Sequence, residues 1–392
     1  MRETIKKDWL EKATKAFGVK RLKPFQKEVC DDLLDGHDVI GIAKTSHGKS
    51  LCFQIQAYCH PDQLMLVITP TTSLMRNQMK NWCGSNLTAA CLYRDNPDNE
   101  ETYRLLKAQK LNVLYISPER LDNPRFRNAL KGNTIHTVVV DEVHCLIEWG
   151  NEFRPMYRQI GKFIDTLKPR PVIAAFSATV AKRDVNIIAN SLGIQSCRLH
   201  IGQLRRENLI LKKMWVKTEA ERYKEIQKAV RKYINKGKIV VYCTTICDVE
   251  DLQEYLLDEC DFFSKDITIC HSKLKNRRTE EARFQTGDAK IMVATSAFGM
   301  GIDIPDIRLV IISQMPFSIE SYYQMVGRAG RDGKKAHGLL LYNDGDYYRN
   351  LDIISSTDER ALDAADDMWH LCESSADIQE QVMAYLDGEV QS

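Results

Sequence analysis

The chain has 392 residues, of which 44% are hydrophobic and 28% charged, and its formal net charge is only +2. Such a chain is long enough for two or three domains with real cores, and its composition excludes a disordered or wholesale polybasic protein. Any nucleic-acid site must therefore be a local stripe or cleft.

The N-terminal run Met1-Arg2-Glu3-Thr4-Ile5-Lys6-Lys7-Asp8 is charged and lacks the apolar stretch of a signal peptide. The longest apolar stretches, Val138-Val139-Val140 and Ile239-Val240-Val241 among them, are strand-length and too short to cross a bilayer. Twelve scattered cysteines form no Cys-x-x-Cys pair. They predict reduced, mostly buried thiols in a nucleus or a bacterial cytoplasm, not a secreted disulfide scaffold.

In chain order, strands are predicted at 38–42, 64–69, 113–117, 137–141 and 172–177, then at 238–242, 267–270, 291–294, 309–313 and 338–342. Helical stretches such as 72–81 and 218–235 separate them. This alternation predicts an α/β fold of parallel sheets covered by helices on both faces. Its two series predict tandem domains over 1–204 and 205–345, with the break near Gly202–Asn208, and an acidic helical tail over 346–392.

The first strand runs into Ala43-Lys44-Thr45-Ser46-His47-Gly48-Lys49-Ser50, a tight loop that enters a helix. Gly48-Lys49-Ser50 ends a Walker A motif, where backbone N–H groups and a helix N-terminus cradle phosphates. Thr45, Ser46, His47 and Gly48 are then loop contacts to ATP. Lys49 reaches the β- and γ-phosphates, and the Ser50 hydroxyl binds Mg²⁺. A lone Gly-Lys-Ser is common by chance. Ala43, Ser46 and His47 also stand where such loops usually carry glycine, so the loop is predicted to be strained or slow.

The next motif is more telling. Val138-Val139-Val140-Asp141-Glu142-Val143-His144 is an apolar strand ending in two carboxylates, at the edge where open α/β sheets bind ligands. Asp141 is predicted to hold Mg²⁺, Glu142 to orient and deprotonate the attacking water, and His144 to pass on the nucleotide state. Ser177 and Thr179, in Phe176-Ser177-Ala178-Thr179, follow another strand. Alone this segment is a weak signal.

The second half supplies Ala294-Thr295-Ser296-Ala297-Phe298-Gly299-Met300-Gly301-Ile302-Asp303, and Gln324-Met325-Val326-Gly327-Arg328-Ala329-Gly330-Arg331. Arg328 and Arg331 are candidate arginine fingers, joined by Gln324 as a catalytic candidate and Asp303 as a nucleotide contact. A nucleic-acid backbone patch is the plainer alternative. With phosphate loop and arginines in different domains, ATP is expected between them, opening and closing the cleft.

The order of these motifs is similar to superfamily-two helicases, and four details resemble the RecQ family. Phe17-Gly18 and Leu22-Lys23-Pro24-Phe25-Gln26 resemble its adenine-reading motif, with Lys23 where arginine is usual. Gly48-Lys49-Ser50-Leu51-Cys52-Phe53-Gln54 resembles its continuation after Walker A. Trp149-Gly150-Asn151-Glu152-Phe153-Arg154-Pro155-Met156-Tyr157 is similar to its aromatic-rich loop. Ile319-Glu320-Ser321-Tyr322-Tyr323-Gln324, leading to Arg331-Asp332-Gly333, is the fourth match. The match spans roughly Phe17 to Asp346. It implies two tandem RecA-like domains, ATP and Mg²⁺ as cofactors, and ATP-dependent unwinding of DNA with 3′→5′ movement. It further implies single-stranded and branched DNA as substrates, and protein partners in repair, recombination or replication.

Within that resemblance Gln26 would read adenine. Trp149 and Phe153 would stack on bases, each contact being worth about 1–3 kcal/mol, and Arg154 would link strand to nucleotide. Without the resemblance these aromatics read better as core. Further strand contacts are expected at Thr71, Gln78, His271 and Thr295, where hydroxyls and helix starts at strand ends suit a phosphate backbone. The tail segment Trp369-His370-Leu371-Cys372-Glu373 resembles the start of the family's four-cysteine zinc module, but only Cys372 matches. A structural zinc needs four ligands, so no zinc is expected. Unwinding is then expected to be weak or partner-dependent. Two other readings stay open: a nucleotide-gated DNA-binding module, and an RNA helicase.

Overall fold

The structure is a computed structural model and describes residues 3–45, 47–147, 155–258, 265–299, 303–354 and 358–388. Those described up to Leu204 form one compact unit and those from Arg205 a second.

The first unit opens with α1 (Glu3–Ala16) and α2 (Pro24–Leu34). Pro24 suits the first turn of α2, where its missing N–H costs no helical bond. There follow β1 (Asp38–Ile42), α3 (Lys49–Tyr58), β2 (Leu64–Ile68), α4 (Thr72–Met79), β3 (Ala89–Leu92) and α5 (Asn99–Lys107). Then come β4 (Val113–Ile116), α6 (Pro124–Leu130), β5 (Ile135–Asp141), α7 (Ile160–Asp165), β6 (Val172–Ser177), α8 (Val185–Ser191) and β7 (Cys197–Ile201). The strands pair in the order β3-β4-β2-β5-β6-β1-β7, all parallel. Central strands such as Leu64-Met65-Leu66-Val67-Ile68 are buried along their whole length, as a sheet covered on both faces demands. Val29, Cys30, Phe53, Ile55, Val67, Tyr115 and Phe176 share one core between sheet and helices.

The second unit runs β8 (Leu209–Trp215), α9 (Glu219–Tyr233), β9 (Lys238–Tyr242), α10 (Ile246–Asp258), β10 (Ile267–Cys270), α11 (Arg277–Thr286) and β11 (Ile291–Ala294). It continues with β12 (Ile307–Ile312), α12 (Ile319–Val326), β13 (Ala336–Tyr342), α13 (Asp344–Ile353), α14 (Glu359–Glu373) and α15 (Ile378–Asp387). The strand order is β10-β11-β9-β12-β13-β8, again parallel throughout. Side-chain caps start five of its helices: Thr218 for α9, Ser318 for α12, Asn343 for α13, Asp358 for α14 and Asp377 for α15.

Three strands escape the sequence reading. β3 is Ala-Ala-Cys-Leu, with no β-branched residue. β7 and β8 each lie at one edge of their sheet and leave Leu199, Ile201, Met214 and Trp215 exposed, so neither has a buried apolar run. The helix expected over 72–81 stops at Met79 and tightens into a 3₁₀ turn at Lys80–Trp82. No helix among the described residues is long and apolar enough to cross a membrane.

Candidate active site

The described residues of the phosphate loop and the acidic pair follow strand ends at the carboxyl edge of the first sheet. β1 lies between β6 and β7, and Ala43 N–H continues the pairing by donating to Ser177 O at 3.0 Å. The chain then turns into α3 through Gly48, whose φ of +85° is a conformation that favours glycine. A Cβ there would also sit 2.2 Å from Gln26 Nε2. α3 begins without a side-chain cap, a helix start of the kind that suits an anion.

Side chains from α2 brace this loop. Gln26 takes the Lys23 N–H on its Oε1 at 2.9 Å and donates from Nε2 to Gly48 O at 3.1 Å. Lys23 Nζ donates to His47 O at 3.3 Å. The His47 ring meets Phe25 edge-on at 5.6 Å. Burial, and then Lys23, Lys44 and Lys49, hold the His47 imidazole below its ordinary pKa. Lys49 Nζ donates to Ala43 O at 2.6 Å. Thr45 and Ser50 are half-buried, and Ser46 lies outside the described residues.

The acidic pair ends β5. Asp141 is buried, and its carboxylate accepts from Gln78 Nε2 at 2.6 Å and from Glu142 N–H at 3.0 Å. Burial and then the Glu142 carboxylate raise its pKa, opposed by Gln78 and Lys49. Glu142 sits at φ +50°, rare for a residue with a side chain and typical of strain kept at functional sites. Its Oε2 has no hydrogen-bond partner. His144 Nδ1 lies 3.3 Å from that oxygen but pairs with Ser177 Oγ at 2.8 Å, so the His144–Glu142 approach is charge proximity only. Ser177 Oγ also accepts the Thr179 N–H at 3.2 Å. The structure thus links the acidic strand to Ser177 and Thr179 through the fully buried His144.

These groups fit a nucleoside triphosphate with a divalent metal. An uncapped helix start and Lys49 suit its phosphates, while two adjacent carboxylates, one with an unsatisfied buried oxygen, suit the cation.

Other first-unit predictions land differently. Thr71 caps α4, its Oγ1 accepting from Leu74 N–H at 3.2 Å. Gln78, expected at the strand, is buried against Asp141. Trp149, Phe153 and Arg154 lie outside the described residues. Tyr157, just past them, donates its hydroxyl to Asp141 O at 3.0 Å.

In the second unit, His271 and Thr295 are neighbours at the carboxyl ends of β10 and β11, where Thr295 N–H donates to Cys270 O at 3.1 Å. His271 is buried and its Nδ1 has no partner. Gln324 rides the last turn of α12. Arg328 Nη1 donates to Gly299 O, and a Cβ at Gly299, which has φ +110°, would strike the Arg328 guanidinium. Arg331 Nη1 reaches Asp303 Oδ1 at 3.1 Å. Burial and then Arg328 lower the Arg331 pKa.

Sequence reasoning missed the clamp on this arginine loop. Buried Arg206 donates to Gly327 O at 2.6 Å and to Ala329 O and Gly330 O at 2.8 Å. Asn208 Nδ2 adds a bond to Gly330 O at 2.8 Å. The only local signal was the polar run Arg205-Arg206-Glu207-Asn208, which read as a linker. Cys372 is buried on α14, its thiol pushed up to about 12 by burial, and no group of three or more potential metal ligands occurs among the described residues.

The chain is similar to known helicases in sequence and in fold. Residues 23–188 match the DEAD/DEAH box helicase family, and residues 221–333 match the helicase conserved C-terminal domain. A probable ATP-dependent DNA helicase RecS of Bacillus subtilis is 32% identical over 354 residues, 89% of this chain and 70% of that protein. The ATP-dependent DNA helicase RecQ of Pasteurella multocida is 33% identical over 349 residues. This chain spans only 53% of that relative's length. Among solved structures, S. cerevisiae Dbp5 bound to RNA and ADP BeF3 superposes with a TM-score of 0.70 at 18% identity, covering 97% of each chain. The DUF1998 helicase MrfA bound to DNA gives 0.69 at 16% identity, over 93% of this chain and 50% of that one. Both likenesses bear on the fold alone. The chain belongs to the RecQ family of superfamily-two helicases, with two RecA-like parallel-sheet domains and a short helical C-terminal region.

Proposed function

We propose that this chain is a DNA-dependent ATPase that moves 3′→5′ along a single strand and separates duplex DNA. Its family implies ATP together with a divalent metal, and Mg²⁺ is the metal we assign. The observation that carries the reading is the carboxylate pair at the end of β5, Asp141 buried and Glu142 half-buried, with Asp141 near enough to Lys49 at the uncapped start of α3 to feel its charge. The bound nucleotide supplies the phosphoanhydride, and the metal neutralises its charge.

In this proposal Lys49 and the first N–H groups of α3 bind the phosphates, and Asp141 and Ser50 hold the cation. Glu142 Oε2, which has no hydrogen-bond partner, takes the proton of the attacking water. Arg328 and Arg331 offset charge developing on the γ-phosphate. Gln324 and Asp303 contribute to the nucleotide site. Gln26 selects adenine and braces the phosphate loop in the same act. Thr71, His271, Thr295 and the aromatic segment with Trp149, Phe153 and Arg154 bind the strand, and His144 passes nucleotide state to Ser177 and Thr179.

The test is steady-state ATP hydrolysis with and without single-stranded DNA, on the native chain and on Glu142→Gln. The expectation is strong stimulation by DNA, and a loss of about 10²–10⁴-fold in kcat in the variant, as for a general base. Hydrolysis no higher in the native chain than in the variant, with DNA binding intact, sinks the motor and leaves a nucleotide-gated clamp.

A further inference from the structure

We propose that α4 is a lever between nucleic acid and the metal site, and that Gln78 is its working end, a positioning residue for Asp141 and not a strand contact. The inference rests on the motor reading above.

The argument starts from register. Ile68 at the end of β2 pairs with Val140 on β5, so the chain leaving β2 runs beside Asp141. It turns through Thr69-Pro70-Thr71 and enters α4, whose first turn Thr71 caps. These hydroxyls and this helix start are the expected backbone contacts to a strand. Gln78 lies seven residues further, about 10 Å along a helix rising about 1.5 Å per residue. There its amide donates to Asp141 Oδ2 at 2.6 Å, in a buried setting. In this proposal one short, stiff element joins the expected strand contact at its start to Asp141 near its end.

The chemistry of the contact suits positioning. Gln78 Nε2 carries a donor to one carboxylate oxygen, and Glu142 N–H holds the other. Gln78 Oε1 is buried without a partner, so nothing but the Asp141 contact rewards burying this amide. A side chain meant for a phosphate backbone would instead sit at the surface. A second grip is independent of α4. Tyr157, at the exit of the aromatic segment, donates to the Asp141 main-chain oxygen at 3.0 Å. Both α4 and Tyr157 thus reach Asp141, the one at its carboxylate and the other at its main-chain oxygen.

A hydrogen bond that aims a ligand for a cation is felt in the cation's affinity, and losing such an outer contact costs about tenfold or more. Coupling is also reciprocal: a strand that moves α4 changes metal–nucleotide affinity by the factor by which metal–nucleotide changes strand affinity.

The experiment titrates Mn²⁺ with a non-hydrolysable ATP analogue, read by electron paramagnetic resonance, with and without a short oligo-dT. Oligo-dT affinity without nucleotide is read by fluorescence anisotropy. For Gln78→Met, which keeps length and removes the amide, Mn²⁺–nucleotide affinity is expected to fall about tenfold. The effect of oligo-dT on that affinity should vanish, while bare oligo-dT affinity stays within about twofold of the native chain. If Gln78→Met does not fold, Gln78→Asn, which keeps the amide but withdraws it, takes the same measurements with the same expectation. Native Mn²⁺–nucleotide affinity in the variant overturns the lever, and a fivefold or greater loss of bare oligo-dT affinity alongside it makes Gln78 a strand contact after all. Native protein that binds Mn²⁺–nucleotide but shows no DNA-stimulated hydrolysis fails the motor reading alone. The Mn²⁺ titration still decides Gln78 in that case.

Discussion

Replacing Ser177 with alanine isolates the link between the acidic strand and its neighbour. The hydroxyl is fully buried; it pairs with His144 Nδ1 at 2.8 Å and accepts the Thr179 N–H at 3.2 Å. Its removal strands two buried polar groups, each worth about 1–3 kcal/mol, so the first unit should lose about 2–6 kcal/mol. A double-mutant cycle with His144→Ala separates the pair from its surroundings, and the coupling energy should fall within about 0.5–3 kcal/mol. Guanidinium denaturation gives the energies, and hydrogen exchange at the amides of β5 and β6 shows whether the loss is local. Because the contact joins the two strand ends without touching Glu142 by a hydrogen bond, ATP turnover should survive better than strand separation. An additive cycle, with hydrolysis and unwinding falling by the same factor, would refute a transmitting role for this bond.

Arg222 is wholly buried on α9, and its guanidinium bonds Asp346 at 3.0 and 3.1 Å and also Ser313 O. Arg222→Met leaves the Asp346 carboxylate uncompensated and should cost the second unit about 3–5 kcal/mol in chemical denaturation, with Arg222→Met/Asp346→Asn recovering part of it. His136 stacks on His60 at 4.6 Å, and burial followed by His60 lowers its pKa to about 3. The folded state therefore binds this proton less readily than the unfolded chain. Stability is fully present above the ordinary value of about 6.5 and drains as pH falls towards 3, by at most about 1.4 kcal/mol per pH unit. A pH series of unfolding free energies should be flatter over that window in His136→Gln; an unchanged slope assigns the acid sensitivity elsewhere.

What the sequence made legible was whatever is written in contiguous residues. The long apolar strands and the motifs at their ends are local patterns, and the phosphate loop, Asp141-Glu142 and Arg328 to Arg331 could be placed on strand ends and loop without any tertiary knowledge. Burial of most cysteines follows the same logic: Cys52, Cys145 and Cys243 have apolar neighbours in sequence and are buried, while Cys83 and Cys247 are exposed. Partners are another matter. Gln78 and Asp141 are separated by 63 residues, and Arg206 and Gly327 by 121. A polar side chain before a strand or late in a short helix reads as surface, because polar residues usually are. Only the fold shows that Gln78 and Arg206 have buried acceptors waiting for them.

The tail makes the same point in physical terms. Its segment Trp369-His370-Leu371-Cys372-Glu373 resembles the start of a metal module, with Cys372 as its matching ligand. In the structure α14 and α15 pack on α12 and β8. Gln379 of α15 donates to Arg206 O at 2.9 Å, and Tyr385 donates to Glu320 Oε1 on α12 at 2.6 Å. Lys213 on β8 donates to Leu371 O and Ser374 O, satisfying carbonyls at the end of α14. Arg206 is the residue whose guanidinium holds Gly327, Ala329 and Gly330. The tail therefore supports, through one buried arginine, the loop that carries Arg328 and Arg331. A Gln379→Leu variant removes the bond to the Arg206 main chain along with the side-chain contact to Tyr323 on α12, and hydrogen exchange should rise at the amides of 327–331 before it rises in β12. Equal exchange in both places would mean that the tail stabilises the unit as a whole and has no particular hold on the arginine loop.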